Sequence, residues 1–354
     1  MAQIDDLLRY LKQHKGSDLH LAAGLEPRIR VHGSLVAVEG QPQLTNEGLR
    51  KLLREIASEA QWRSYEQAHD LDFAYGLEGV ARFRANFFVQ EHGAGAVLRM
   101  IPEKIVPLEE LKLPKAIEGL VDLRKGLVVV TGPTGSGKST TLAGIIDKIN
   151  RSYAKHILTL EDPVEFVHEN KKSVISHREV GAHTRGFGPG LRAAIRQDAD
   201  VVLVGEMRDY ETISLALTAA EMGMLVFGTL HTNNAPKTID RIIDTFPSDE
   251  QAQVRLSLAE SLAAVVAQLL LPTADGKGRV AANEILLKTK ALPNIIREAN
   301  VSMLGSYIQQ GKADGMQQMD DALFEFAQQK RVDPHDAWAK ATDKQRFEPL
   351  LPKE

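Results

Sequence analysis

The chain has 354 residues, 43% apolar and 25% charged, with 43 basic side chains against 47 acidic ones and a formal net charge of −4. That is the profile of a soluble globular protein long enough for two domains, and its acidic balance argues against a wholesale nucleic-acid coat. With no cysteine, disulfides, thiolate zinc sites and cysteine nucleophiles are excluded, and a cytoplasmic location is expected.

The opening Met1-Ala2-Gln3-Ile4-Asp5-Asp6 is neither basic nor followed by a long apolar block, so no signal peptide is expected. Ile4, Leu7, Leu8 and Leu11 recur at helical spacing, which predicts an amphipathic helix that Gly16 stops. Asp18 to Leu21 alternates like a strand; Pro27–Val31 and Ser34–Val38 flank His32-Gly33 as a hairpin. Helices over Asn46–Ala57 and Glu59–Gln67 and strands over Leu71–Tyr75, Ala81–Gln90 and Gly95–Met100 complete a mixed α+β domain at 1–100. Arg82 and Arg84 share one strand face, and Arg99 lies near the end of the next strand. Spacing alone is satisfied by a solvated face. The alternative is a set of arginines that complete a neighbour's phosphate site in trans.

Ile101 to Pro107, running on to Pro114, holds three prolines and reads as a linker over 101–113. The domain at 114–354 then opens on the apolar run Leu127–Thr131, which enters Gly132-Pro133-Thr134-Gly135-Ser136-Gly137-Lys138-Ser139-Thr140. A helical pattern through Leu142, Ile145, Ile146 and Ile149 follows. This is the phosphate-binding loop G-x-x-x-x-G-K-[ST] in its required strand-to-helix setting. Its glycines let successive N–H groups point inward, and the following helix adds its positive end. Thr134 to Thr140 would bind ATP, with Lys138 on the β- and γ-phosphates and Ser139 on Mg²⁺.

Beyond the loop, strand and helix patterns alternate, which implies a parallel sheet with its chemistry at the carboxyl ends of the strands. The strand His156–Leu160 ends in Glu161-Asp162-Pro163-Val164-Glu165, where Glu161 and Asp162 suit Mg²⁺ or a positioned water unless the turn is merely acidic. Thr184 to Gly190 is a glycine-rich loop, a hinge or a binding edge, before a helix at Leu191–Gln197. Val201–Val204 ends in Gly205-Glu206-Met207-Arg208-Asp209, and Glu206 is assigned to polarising the attacking water. Leu225–Phe227 ends in Gly228-Thr229-Leu230-His231-Thr232, where His231 could sense the γ-phosphate. The last hundred residues read as mainly helical, including the apolar run Ser261–Leu271, which is too short to span a bilayer. Val280–Leu287 reads as one more strand, and Asp320-Asp321 as the cap of a helix with Leu323, Phe324 and Phe326.

Together these segments resemble the secretion and pilus ATPase superfamily, most closely its type IV pilus retraction ATPases, over essentially the whole chain. Ser17–Leu21 and Arg28–Gly33 are similar to the family's N-terminal PAS-like domain. Gly132–Thr140 is similar to its Walker A, Leu158–Glu165 to its Asp box, Leu203–Asp209 to its Walker B and Gly228–Thr232 to its His box. Ile295-Ile296-Arg297-Glu298-Ala299 keeps the Arg and Glu of a motif of the retraction subfamily but departs at its flanks, which bears on how hydrolysis is coupled to retraction. The resemblance implies a PAS-like domain followed by a RecA-like P-loop ATPase domain with C-terminal helices. It implies a homo-hexamer in which Arg82, Arg84 and Arg99 approach nucleotide on a neighbouring subunit. It also implies an inner-membrane platform protein and, indirectly, pilin as partners, and a peripheral place at that membrane. A pilus-assembly or type II secretion ATPase is the nearest alternative, and a nucleic-acid motor a more distant one.

Overall fold

The computed structural model describes residues 3–31, 33–101 and 104–351. His32 of the expected hairpin, and Pro102 and Glu103 of the expected linker, lie outside them. The chain divides into two compact units, one comprising Met1–Lys104 with Pro163–Val167, the other Ile105–Asp162 with His168–Glu354.

The first unit runs α1 (Gln3–Gln13), β1 (Asp18–Ala22), β2 (Arg28–Val31), β3 (Ser34–Ala37), α2 (Asn46–Arg54), α3 (Glu59–Ala68), β4 (Asp70–Leu77), β5 (Ala81–Gln90) and β6 (Gly93–Ile101). Its strands form one sheet in the order β3-β2-β1-β6-β5-β4, antiparallel throughout. Alternation along β5 turns Ala81, Phe83, Ala85 and Phe87 into a core shared with Ile4, Leu8 and Leu11 of α1 and Leu49 and Leu53 of α2. The α3 helix starts where Ser58 and Gln61 cap each other's backbone N–H groups.

In the second unit, α4 (Lys115–Glu118) precedes β7 (Gly126–Thr131), α5 (Lys138–Ser152), β8 (His156–Glu161), β9 (Val174–Glu179), α6 (Phe187–Ala194), β10 (Val201–Val204), α7 (Tyr210–Glu221) and β11 (Leu225–Leu230). There follow α8 (Ala235–Asp244), α9 (Gln251–Ser261), β12 (Leu262–Pro272), β13 (Arg279–Leu287), α10 (Leu292–Arg297), α11 (Leu304–Gln310), α12 (Met319–Gln328) and α13 (Pro334–Lys340). The sheet order is β13-β12-β7-β11-β10-β8-β9, parallel except for the β12–β13 pair. Neighbouring residues of β7 feed opposite faces: Leu127 and Val129 join one core, Val128 and Val130 the other. That is why the strand reads as an unbroken apolar run. On the second face α5 contributes Leu142, Ile145, Ile146 and Ile149, each burial being worth roughly 1.5–3 kcal/mol.

Three expectations change. The run Ser261–Leu271 is not helical: it is β12, a strand lying between β7 and β13. A short apolar stretch buried on both faces has no periodicity to distinguish strand from helix. The glycine-rich stretch at 184–190 is largely the start of α6, not a loop. A Cβ at Gly188 would lie 2.6 Å from the Glu211 carboxylate carbon, so the glycines there serve close packing. Asp320 and Asp321 lie in the first turn of α12 and do not cap it. Asp320 instead accepts from the N–H groups of Thr342 and Asp343, while Asp321 pairs with Lys312 and Arg346.

Candidate active site

Because β7, β11, β10 and β8 are parallel and adjacent, their carboxyl ends line up on one edge of the sheet. Thr131 lies beside Leu230, Gly228 beside Val204, and Val204 beside Leu160. The four sequence motifs therefore converge through topology, although they are spread over about a hundred residues of chain.

The phosphate loop holds Gly132, Gly135 and Gly137 at φ of 145°, 79° and 84°. These are left-handed values that a side chain resists. At Gly132 a Cβ would also collide with the carbonyl oxygen of Gln268 on β12. Gly137 is the N-cap of α5 and offers no side-chain cap, so the first N–H groups of a 15-residue helix stay available. Lys138 folds back over the loop, its Nζ donating to the carbonyls of Gly132 (2.7 Å) and Pro133 (3.1 Å). Thr134 and Gly135 are exposed, Ser136 is buried, and Gly137 to Thr140 are half-buried. A concave run of main-chain donors, a cation and a helix N-terminus fit a polyphosphate. The Ser139 hydroxyl, in the first turn of α5, is an oxygen donor of the kind a hard divalent cation takes.

Threonines stitch the neighbouring strand ends together. The Thr131 hydroxyl donates to the Thr232 carbonyl (2.7 Å), and Thr232 Oγ1 lies 2.7 Å from Thr238 Oγ1. Thr229 donates to the Gly205 carbonyl, and the Met207 N–H donates to the Thr229 carbonyl at 3.0 Å. The His231 and Glu206 segments are thereby held to one another and to the end of β7.

Glu206 is the carboxylate these contacts present. It lies 2.9 Å from His231 Nε2 and pairs with Arg208. Burial alone would raise its carboxyl, but the hydrogen bond and charge of Arg208, with His231 adding to them, hold it below the usual glutamate range. Glu206 is thus ionised at neutral pH and can accept a hydrogen bond from water. Glu161 ends β8, half-buried, and Asp162 beside it is exposed. The charge of Asp162 helps raise Arg208, after the larger effect of Glu206. Sequence reading gave Arg208 no role; the signal it missed was a cation two residues after the acid on the same strand edge.

In the first unit, Arg84 lies directly across from Arg99 in the β5–β6 register, with Arg82 two residues away on β5. Residues opposite one another in a ladder share a face. All three guanidinium groups therefore stand on the face turned away from Phe83, Ala85 and Leu98. Asp72 lies 3.6 Å from Arg84, while Arg99 Nε donates to the buried Asp18 carboxylate at 2.7 Å. Burial would raise Asp18, but hydrogen bonds from Ser17 and Arg99 and the Arg99 charge hold it below the usual aspartate range. Among the described residues no group of three or more His, Asp or Glu side chains could hold a metal by itself. No helix among them is long and apolar enough to cross a membrane.

A family model described as type II/IV secretion system protein matches residues 4–300. Over 320 residues the chain is 50% identical to the "Type IV pilus retractation ATPase PilT" of Pseudomonas aeruginosa, covering 90% of this chain and 92% of that one. It is 49% identical over 315 residues to a "Twitching motility protein" of Neisseria gonorrhoeae, covering 89% and 84%. The crystal structure of the pilus retraction motor PilT with bound ADP superposes with a TM-score of 0.89 at 43% identity, covering 97% of this chain and 99% of that one.

Proposed function

The chain belongs to the type II/IV secretion system protein family, and from that premise we propose how it works as an ATPase that powers type IV pilus retraction. The observation that carries the reading is the glycine cradle of Gly132–Lys138 standing on the same sheet edge as the ionised Glu206. Main-chain N–H groups from Thr134 to Thr140 and the Lys138 ammonium hold the phosphates of ATP. Ser139, Glu161 and Asp162 would hold the Mg²⁺ that accompanies ATP, which would neutralise charge at the phosphates. Glu206 orients water towards the γ-phosphorus and takes up its proton. His231, hydrogen-bonded to Glu206, reports whether that phosphate is present.

The first unit is read as PAS-like, in keeping with its single antiparallel sheet. The second is read as RecA-like, in keeping with a parallel sheet carrying the phosphate loop after β7. The working assembly is a homo-hexamer in which Arg82, Arg84 and Arg99 of one subunit stabilise charge on nucleotide held by the next. Residues 101–113 act as the linker between the two domains. The motor works in the cytoplasm, against an inner-membrane platform protein and through it on pilin, with no nucleic acid as substrate. Steady-state turnover tests the core of this reading. The wild-type chain hydrolyses ATP; Lys138→Ala loses tight nucleotide binding; Glu206→Ala binds ATP and turns it over at least a hundredfold more slowly. Rapid turnover by the Glu206 variant would remove its assignment as base.

A further inference from the structure

One polar side chain stands in the middle of the apolar strand β12. Gln268 is 2% exposed, flanked by Ala267 and Leu269, and paired across the ladder with Asn283 of β13. Its Nε2 donates to the Ser136 carbonyl at 2.7 Å, and its Oε1 accepts from the Thr141 hydroxyl at 2.9 Å and from Asn283 Nδ2 at 3.1 Å. The orientation of this amide is fixed by chemistry, because the Ser136 carbonyl can only accept. The two partners bracket Lys138 and Ser139: one lies in the phosphate loop, the other in the first turn of α5. Two glycines of the loop are also shaped around this residue. A Cβ at Gly132 would strike the Gln268 carbonyl, and one at Gly137 would come within 3.0 Å of its Nε2. The far side of the strut is anchored too, since the Asn283 carbonyl accepts from Gln317 Nε2 at 2.9 Å, and Gln317 bridges the backbone of Ile285.

A buried amide with both ends engaged is costly to misplace, because a partner left unpaired bears the full desolvation penalty. We propose that Gln268 is a positioning residue for ATP binding: it sets the height of the Ser136 carbonyl and the rotation of α5, so that the N–H groups of the loop converge on the phosphates. The inference rests on reading Gly132–Thr140 as the ATP site and adds to it a residue outside every motif of that site.

The test uses the purified full-length chain, a fluorescent ADP analogue for affinity, and steady-state kinetics with Mg²⁺ and ATP. Gln268→Met keeps the volume and removes the polar contacts with Ser136, Thr141 and Asn283. Gln268→Glu keeps the size and the acceptor for Thr141 and Asn283, but at a site this buried it must either turn a carboxylate oxygen towards the Ser136 carbonyl or first bind a proton to donate there. The proposal expects KM for ATP and Kd for ADP to rise together by roughly tenfold in the Met variant and further in the Glu variant. It expects kcat to change less than threefold. A filler that only stabilises the sheet would instead lower the active fraction, so apparent kcat would fall with KM and Kd unchanged; that result overturns the proposal. If the Met variant does not fold, the Glu variant decides by the same split. Failure of the wild-type chain itself to bind the analogue would refute the ATP-site reading beneath, which normal binding by wild type and both variants would leave standing while removing the role of Gln268.

Discussion

Replacing Gly132 by alanine tests whether the phosphate loop is held by steric fit against β12. Gly132 has φ of 145°, and an added Cβ would run into the Gln268 carbonyl oxygen and come within 2.7 Å of Ser136 Oγ. The first obstacle is backbone of a central strand and cannot swing aside. Backbone strain at a position that disfavours a side chain costs on the order of 1–3 kcal/mol, and overpacking a tight site adds about 1–3 kcal/mol. The expected loss is therefore about 2–6 kcal/mol, a fall in melting temperature on the order of ten degrees for a unit of this size. Gly135→Ala is the matched control, because φ there is 79° and nothing lies within 4 Å of the added Cβ. Its cost should be confined to backbone strain, roughly 1–2 kcal/mol. Thermal unfolding of the two variants side by side checks the difference. Equal destabilisation, or a neutral Gly132→Ala, would refute the claim that β12 closes on the loop.

Arg208→Ala removes the largest influence lowering Glu206 and leaves burial opposed by His231 alone. The acid limb of the kcat profile should move to higher pH, and an unchanged limb would separate Glu206 from the proton transfer. Asp18→Ala strips Ser17 and Arg99 of a buried acceptor and should destabilise the first unit by about 1–3 kcal/mol at neutral pH. Since the folded pKa of Asp18 is depressed, its contribution is present above the ordinary aspartate value and fades as pH falls through the folded one; the variant should lose that dependence. His168 is buried and stacked on His177, and burial first, then the His177 charge, lowers it from 6.5 to about 4. The fold keeps it neutral, so stability is full above pH 6.5 and falls by on the order of 3 kcal/mol as pH drops to about 4. Denaturant titrations of His168→Leu should show that share of the acid slope gone.

What could be read in the sequence divides along physical lines. Gly132 to Thr140 was legible because anion binding by backbone demands glycines, a lysine and a hydroxyl at fixed spacing. The meeting of Glu206 and His231 on one sheet edge could be anticipated because polar groups directly after apolar strands are rare without a reason. Gln268 was not, since a single amide within Ser261–Leu271 looks like a flaw in an apolar run until β7 and β13 are placed beside it. Nor was α6 legible at its start, where glycine and proline signal a loop locally while packing against Leu160 and Glu211 makes a helix. The grouping of Pro163–Val167 with the first unit depends on contacts distant in sequence, and local pattern carries no trace of them.

If this chain uses ATP to withdraw pili, the number of pili on the cell surface depends on its phosphate loop. The decisive measurement is a count of surface pili after deletion of the gene, with wild-type and Lys138→Ala copies returned separately. The deletion strain should carry more pili and lose twitching, with rescue by the wild-type copy and not by the Lys138 variant. Bald cells, or rescue by Lys138→Ala, would contradict it.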